Sequence, residues 1–280
     1  MTTSARSRPK HPWHKMFDTY EDIFNQRGAA YHAAMTGFPA ARDEEFAQII
    51  SMADLRDGDR VVDIPSGGGY LRSRIQRDIT LTCIETSHEF AAHCSATPGV
   101  TSLHRELHNT LLASASFDKV ICLAGLHHVR AQEAFFAECR RLLRPSGLFC
   151  IADAPAKSAT ASFLDEFVHA HNSMGHQGDY VSNTTRSRLR SAGFAVLEDE
   201  TRSYHWNFSS VQSMTTFCTL LFGIDRGSPE QVREGVSKYL GYEETSTGVR
   251  MNWQLNFLVC SPRSRSGIQK SPALSGMCGI

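Results

Sequence analysis

Between residues 60 and 152 the chain alternates short apolar runs with amphipathic segments. The runs at 61–64, 81–85, 100–103, 117–124 and 147–152 are rich in Val, Ile, Leu, Phe and Cys and bounded by Gly, Pro, Asp or Ser, so they read as buried strands. Between them, 70–77, 87–96 and 131–143 place apolar residues at helical spacing. Strands separated by helices imply right-handed crossovers and a doubly wound parallel sheet, an α/β fold whose ligands sit at the carboxyl ends of the strands.

The rhythm changes on either side of this block. Upstream, Phe17, Tyr20, Ile23 and Phe24, then Tyr31 and Met35, then Phe46, Ile49 and Ile50 recur at helical spacing, interrupted by Gly37 and Pro39. Downstream, 158–174 and 184–191 read as helices, 195–208 as a long strand, 210–222 and 229–239 as two inserted helices, and 250–260 as the last strand. The chain therefore divides into a polar disordered tail (1–12), N-terminal lid helices (13–55), an α/β domain (56–260) with a helical insertion at about 209–240, and a Ser-, Pro- and Gly-rich disordered end (261–280).

Composition narrows the partners. Lysine plus arginine equals aspartate plus glutamate at 29 each, so no net field draws the chain to nucleic acid or an anionic membrane. None of the eight cysteines forms a CxxC pair, and several lie inside apolar runs, where cysteine acts as a small buried hydrophobe. With no secretory signal pattern and no apolar run long enough to span a bilayer, the expected location is cytoplasmic. Oligomeric state is not readable from the sequence.

The stretch VVDIPSGGGYL at 61–71 joins a strand, an acid and three glycines. Glycine tolerates positive φ and lets a ligand approach the backbone, and a helix starting near Tyr70 would offer unpaired amides to that ligand. A dinucleotide frame beginning at Gly67 puts Arg72 where its last glycine belongs, which argues against nicotinamide cofactors. Asp63 at the strand end would repel a pyrophosphate but accept from an ammonium group, as in an amino-acid tail.

In this order and spacing the motifs resemble those of class I S-adenosylmethionine-dependent methyltransferases of the small-molecule type. The resemblance covers roughly 42–155 and implies a Rossmann-like doubly wound sheet, mainly parallel with an antiparallel last strand. It assigns Asp63, Ile64, Pro65, Ser66, Gly67 and Gly69 to the glycine loop, Glu85 and Thr86 to the ribose, and Glu106 and Leu107 to the adenine. Leu123 and Ala124 begin the loop after the fourth strand, and Leu142-Leu-Arg-Pro-Ser-Gly-Leu148 is similar to the turn before the fifth. Pro65 departs from the pattern, replacing the loop's first glycine and removing an amide donor; Ser146 replaces a glycine of the later turn.

The implied cofactor is S-adenosyl-L-methionine, leaving as S-adenosyl-L-homocysteine, and the implied reaction is methyl transfer to a small molecule, in keeping with secondary metabolism. A sulfonium carries an activated methyl group, so the protein's task is to hold the acceptor in line and, for a hydroxyl or acidic carbon, to take its proton. His127 and His128 lie in the loop expected to face the methyl group and are the candidate bases. Tyr20, Tyr31, His169, Tyr204, Trp206 and Phe217 are the candidate acceptor pocket. No metal site is expected, because His169 and His171 at i and i+2 point to different faces of a helix and cannot readily share an ion with His176. Two alternatives keep the fold: a cofactor-bound enzyme catalysing a rearrangement or cyclisation, and a non-catalytic binding module.

Overall fold

The computed structural model describes residues 20–263, so the expected 1–12 tail and nearly all of the 261–280 tail lie outside the described residues. Eight strands form one sheet: β1 (Arg60–Asp63), β2 (Thr80–Glu85), β3 (Val100–His104), β4 (Phe117–Leu123), β5 (Leu143–Asp153), β6 (Phe194–Phe208), β7 (Tyr242–Thr245) and β8 (Gly248–Pro262). Their order is β3-β2-β1-β4-β5-β8-β6, with β7 paired to β8 as a hairpin. The first five strands run parallel, while β8 runs antiparallel to both β5 and β6. This is the expected Rossmann-like sheet with an antiparallel last strand.

The two-residue period of the strands separates two cores. Val61, Ile121, Cys150 and Ala152 face one side, with the Asp43–Ala53 helix and the Val211–Phe222 and Pro229–Tyr239 helices. Val62, Ile64, Val120, Cys122, Phe149 and Ile151 face the other, with Phe135 and Phe136 of the Gln132–Leu142 helix and Leu189 of the Asn183–Ser191 helix. Full burial of each such valine, isoleucine or phenylalanine contributes about 1.5–3 kcal/mol. The seven described cysteines are free and buried, packing as hydrophobes. Among the described residues no helix is long and apolar enough to cross a membrane.

Two elements differ from the sequence reading. The helix expected over 70–77 is only a 3-10 turn, Tyr70–Arg74: Ile75 adopts an extended backbone and enters the core, and β2 begins at Thr80, which leaves too few residues to nucleate an α-helix. The hairpin strand β7 was not anticipated; its polar sequence gives no alternation, and its pairing with the register of β8 makes it a strand. The 158–174 helix is observed over 159–171, with π-type hydrogen bonding across Phe163–Val168.

Candidate active site

The ends of β1, β2, β4 and β5 lie side by side in the sheet, and the chemistry collects there. Asp63 closes β1 and is 2% exposed. Among the described residues its carboxylate has no hydrogen bond, and burial, with the neighbouring Cys94 and Glu85, raises its pKa well above the usual carboxylate range. Beyond it Gly67, Gly68 and Gly69 all take positive φ. Gly69 is needed for a second reason, since a Cβ there would stand 3.3 Å from Cys94 Sγ and 3.4 Å from its Cα, where the His88–Ser95 helix crosses beneath the loop.

The loop consumes its own donors. Ile64 N–H donates to Ile121 O at 2.9 Å and Ser66 N–H to Ile84 O at 3.3 Å, Pro65 has no N–H, and Gly69 N–H donates to Ser66 O at 3.2 Å. Gly68 N–H turns to the Cys94 sulfur and Gly67 N–H donates to Glu85 Oε1. The amides of the loop proper, 64–69, are therefore engaged within the protein by the adjoining strands, Glu85 and Cys94, and the helix expected at Tyr70 is reduced to a 3-10 turn.

Beside the loop two buried side-chain oxygens are unpaired. Glu85 is fully buried; its Oε1 also takes the Ser66 hydroxyl at 3.2 Å and the Tyr20 hydroxyl at 3.3 Å, while Oε2 has no partner. Burial foremost, then Cys94, pushes its pKa up to about 8. Thr86 Oγ1 is likewise buried and unpartnered. A buried oxygen without a partner costs on the order of 1–3 kcal/mol, so a ligand carrying hydroxyl groups gains there.

Beside this acceptor-rich groove lies a cavity of about 260 Å³ lined by Tyr20, Thr86, Glu106, Leu107, His128 and Phe135, among others. Glu106 is exposed and Leu107 buried, side by side in the loop after β3. The Tyr20–Gly37 helix roofs both regions. Its Tyr31 hydroxyl would lie 3.7 Å from a Cβ on Gly67, and its Phe24 ring sits 5.3 Å from His128 edge-on.

The loop after β4 begins at half-buried Leu123 and at Ala124, which is held at φ +51°, a sparsely populated conformation for alanine. Gly125 follows because a Cβ would come within 2.5 Å of Pro65 Cγ. The turn Leu126–His128 then delivers His127 to the end of β5. Its Nδ1–H donates to Asp153 Oδ1 at 2.7 Å, and its backbone N–H donates to Oδ2 at 3.1 Å. A carboxylate oxygen accepts, so this contact engages the Nδ1–H and leaves Nε2 as the ring nitrogen not bonded to Asp153. His128 and His176 stand against the same ring, with centroids 4.1 and 5.5 Å away. Burial holds the pKa of both below the ordinary value, His176 at about 4.

The sequence reading paired neither His127 with Asp153 nor the two histidines with His176. The first pairing was within reach, because parallel β4 and β5 end in register at Leu123 and Ala152. His169 Nδ1 instead stands against the backbone of His176, 2.8 Å from its carbonyl oxygen and 3.1 Å from its nitrogen. Tyr20 and Tyr31 come to the glycine loop, but Trp206, Tyr204 and Phe217 do not. Trp206 Nε1 and the Tyr204 hydroxyl both donate to buried Glu45 Oε2 at 3.0 Å, and Trp206 stacks on Trp253 at 4.2 Å. They belong to β6, separated from β4 by β5 and β8, and Phe217 packs against Trp206 fully buried. Tyr204 lines a separate cavity of about 290 Å³ between β6 and β8.

A family model described as a methyltransferase domain matches residues 62–151, which span the glycine loop, the Glu85 turn, the histidine turn and most of β5. Over this segment the chain is similar to methyltransferase domains. Around it the chain is 27% identical over 154 residues to the 27-O-demethylrifamycin SV methyltransferase of Amycolatopsis mediterranei, covering 50% of this chain and 57% of that one. It is 32% identical over 116 residues to the ubiquinone biosynthesis O-methyltransferase of Rhizobium leguminosarum, covering 39% and 46%. The chain thus matches about half the length of these curated relatives. In fold it is similar to the crystallised cyclase SpnF, with a TM-score of 0.61, 16% identity, and coverage of 92% of this chain and 100% of that one. The segment similar to methyltransferase domains therefore sits in a chain whose whole described fold has solved counterparts.

Proposed function

We propose that the chain transfers a methyl group from S-adenosyl-L-methionine to an oxygen of a small organic molecule. The observation that carries the reading is the His127–Asp153 pair at 2.7 Å, standing at the strand end next to an acceptor-rich groove. The residues present fit the cofactor: Asp63 would hold the ammonium, the orphaned Glu85 Oε2 and Thr86 Oγ1 would take ribose hydroxyls, and Glu106 and Leu107 would meet the adenine. When bound, the sulfonium supplies a methyl group already activated for transfer.

The protein's own work is then positioning, proton acceptance and water exclusion. His127 Nε2, with its opposite nitrogen held by Asp153, is placed to take the proton of an acceptor hydroxyl. The Tyr20–Gly37 helix, tied to the Val211–Phe222 helix by Arg27 donating to Leu221 O at 3.0 Å, closes the groove from water. It serves as the lid, and its opening admits the ligands. The two curated relatives, both named as methyltransferases and one as an O-methyltransferase, support oxygen as the acceptor atom.

The test is calorimetric titration with S-adenosyl-L-methionine, followed by incubation with a panel of phenols and aliphatic alcohols. One S-adenosyl-L-homocysteine should appear per methylated product. Absence of binding ends the proposal, and product formed without S-adenosyl-L-homocysteine would mean a rearrangement or cyclisation instead. Asp63→Asn should weaken cofactor binding by roughly 10–100-fold in the same titration, since it replaces a charge-assisted bond with a neutral one. Unchanged affinity would displace the ammonium from Asp63.

A further inference from the structure

His127, His128 and His176 come from two distant parts of the chain, yet each can offer a ring nitrogen such that all three lie within 4.8 Å of one another. Two of the three are already oriented as metal ligands are. His127 Nδ1 is held by Asp153 at 2.7 Å, and His176 Nδ1 by Asp165 Oδ1 at 3.1 Å. Asp165 is itself fixed by the Tyr180 hydroxyl at 2.6 Å and the Gly178 N–H at 3.2 Å. A carboxylate on one imidazole nitrogen directs the other toward an ion, and raises its basicity. We infer that these three histidines form a site for a d-block divalent cation of the zinc class, with Asp153 and Asp165 as the orienting carboxylates.

The spacing suits that chemistry. Imidazoles sharing a tetrahedral ion at about 2.0–2.1 Å place their ring centroids roughly 5 Å apart. The His176 ring lies 5.5 Å from His127 and 5.2 Å from His128. His127 and His128 are nearer, at 4.1 Å, but the His128 ring has no hydrogen bond among the described residues and can turn to complete the set. Three neutral nitrogens and no direct carboxylate or thiolate select zinc, cobalt, nickel or copper over magnesium or calcium. A second group, Glu21, His88 and His104, lacks this support: among the described residues no carboxylate is bonded to either histidine ring, and His88 is exposed.

The inference goes beyond the methyl-transfer reading and does not depend on it. The ion and a substrate proton compete for the same His127 nitrogen, so the metal-loaded protein does not accept a proton there.

The full chain, stripped with a chelator and dialysed, is titrated with Co²⁺ as a spectroscopic probe. Expected are visible d–d bands saturating at one ion per chain, displaced by Zn²⁺, together with a rise in Tm on adding Zn²⁺. His176→Ala and His128→Ala should each weaken binding at least tenfold, the second disturbing the fold least because that ring is unbonded. Asp165→Asn should weaken it about 10–100-fold, and His171→Ala, outside the group, should bind as the parent does. The absence of d–d bands in the parent overturns the inference, as does binding that survives both His176→Ala and His128→Ala.

Discussion

Replacing His127 by alanine should lower kcat for an alcohol acceptor by about 10²–10⁴-fold, the usual share of a positioned general base, while the affinity for S-adenosyl-L-methionine stays within a few-fold. The split follows from geometry. His127 lies against Asp153 and the other histidines, whereas the unpaired acceptors assigned to the cofactor are Asp63, Glu85 and Thr86. Asp153→Asn should cost nearly as much. An amide in that place can donate to Nδ1, which moves the ring proton to Nε2 and removes the lone pair that accepts from the substrate. Single-turnover kinetics with saturating cofactor measures both. A kcat within about threefold of the parent in either variant would leave positioning alone as the source of catalysis, a role that needs no base.

The sheet was legible because its signal is local. Runs such as Val61-Val62-Asp63 and Val120-Ile121-Cys122 have one reading as short buried strands, and their order with the intervening helices restricts the topology to very few choices. Asp63, Glu85 and the glycine triplet were legible for the same reason: each sits at a strand end, where a parallel sheet gathers ligands. What the sequence did not reveal depends on long-range contact. Gly67 N–H is taken by Glu85, 18 residues on, a contact that the glycine triplet does not announce. Trp206 and Tyr204 look like pocket aromatics until Glu45, some 160 residues earlier, is seen to accept both their protons in a sealed core. His176 joins His127 only because residues 172–182 fold back, with Asp179 N–H donating to His127 O at 2.9 Å. No periodicity announces that contact.

Glu85→Gln should weaken S-adenosyl-L-methionine by roughly 10²-fold and at the same time stabilise the free protein above neutral pH, two charge-assisted bonds at about 1.5–3 kcal/mol each setting the first effect. The second follows from the sign of the pKa shift. A carboxyl raised from its ordinary value of 4.5 to about 8 is more easily protonated folded than unfolded. Its contribution to stability is therefore fully present below pH 4.5 and lost as pH rises through 8, amounting to a few kcal/mol across that window. Glutamine cannot ionise, so the variant and the parent should melt alike at pH 5, and the variant should melt higher at pH 8.5. Adding cofactor to the parent should recover the lost stability, because ribose hydroxyls donating to Oε2 favour the charged carboxylate and draw its pKa down. Thermal melts at the two pH values, with and without ligand, read all of this. A parent whose Tm gains nothing from cofactor at pH 8.5, or a variant that binds as tightly as the parent, would place the ribose elsewhere than Glu85. The expected trade marks this acid as one kept for binding at the expense of the free fold, as buried carboxylates in functional clefts tend to be.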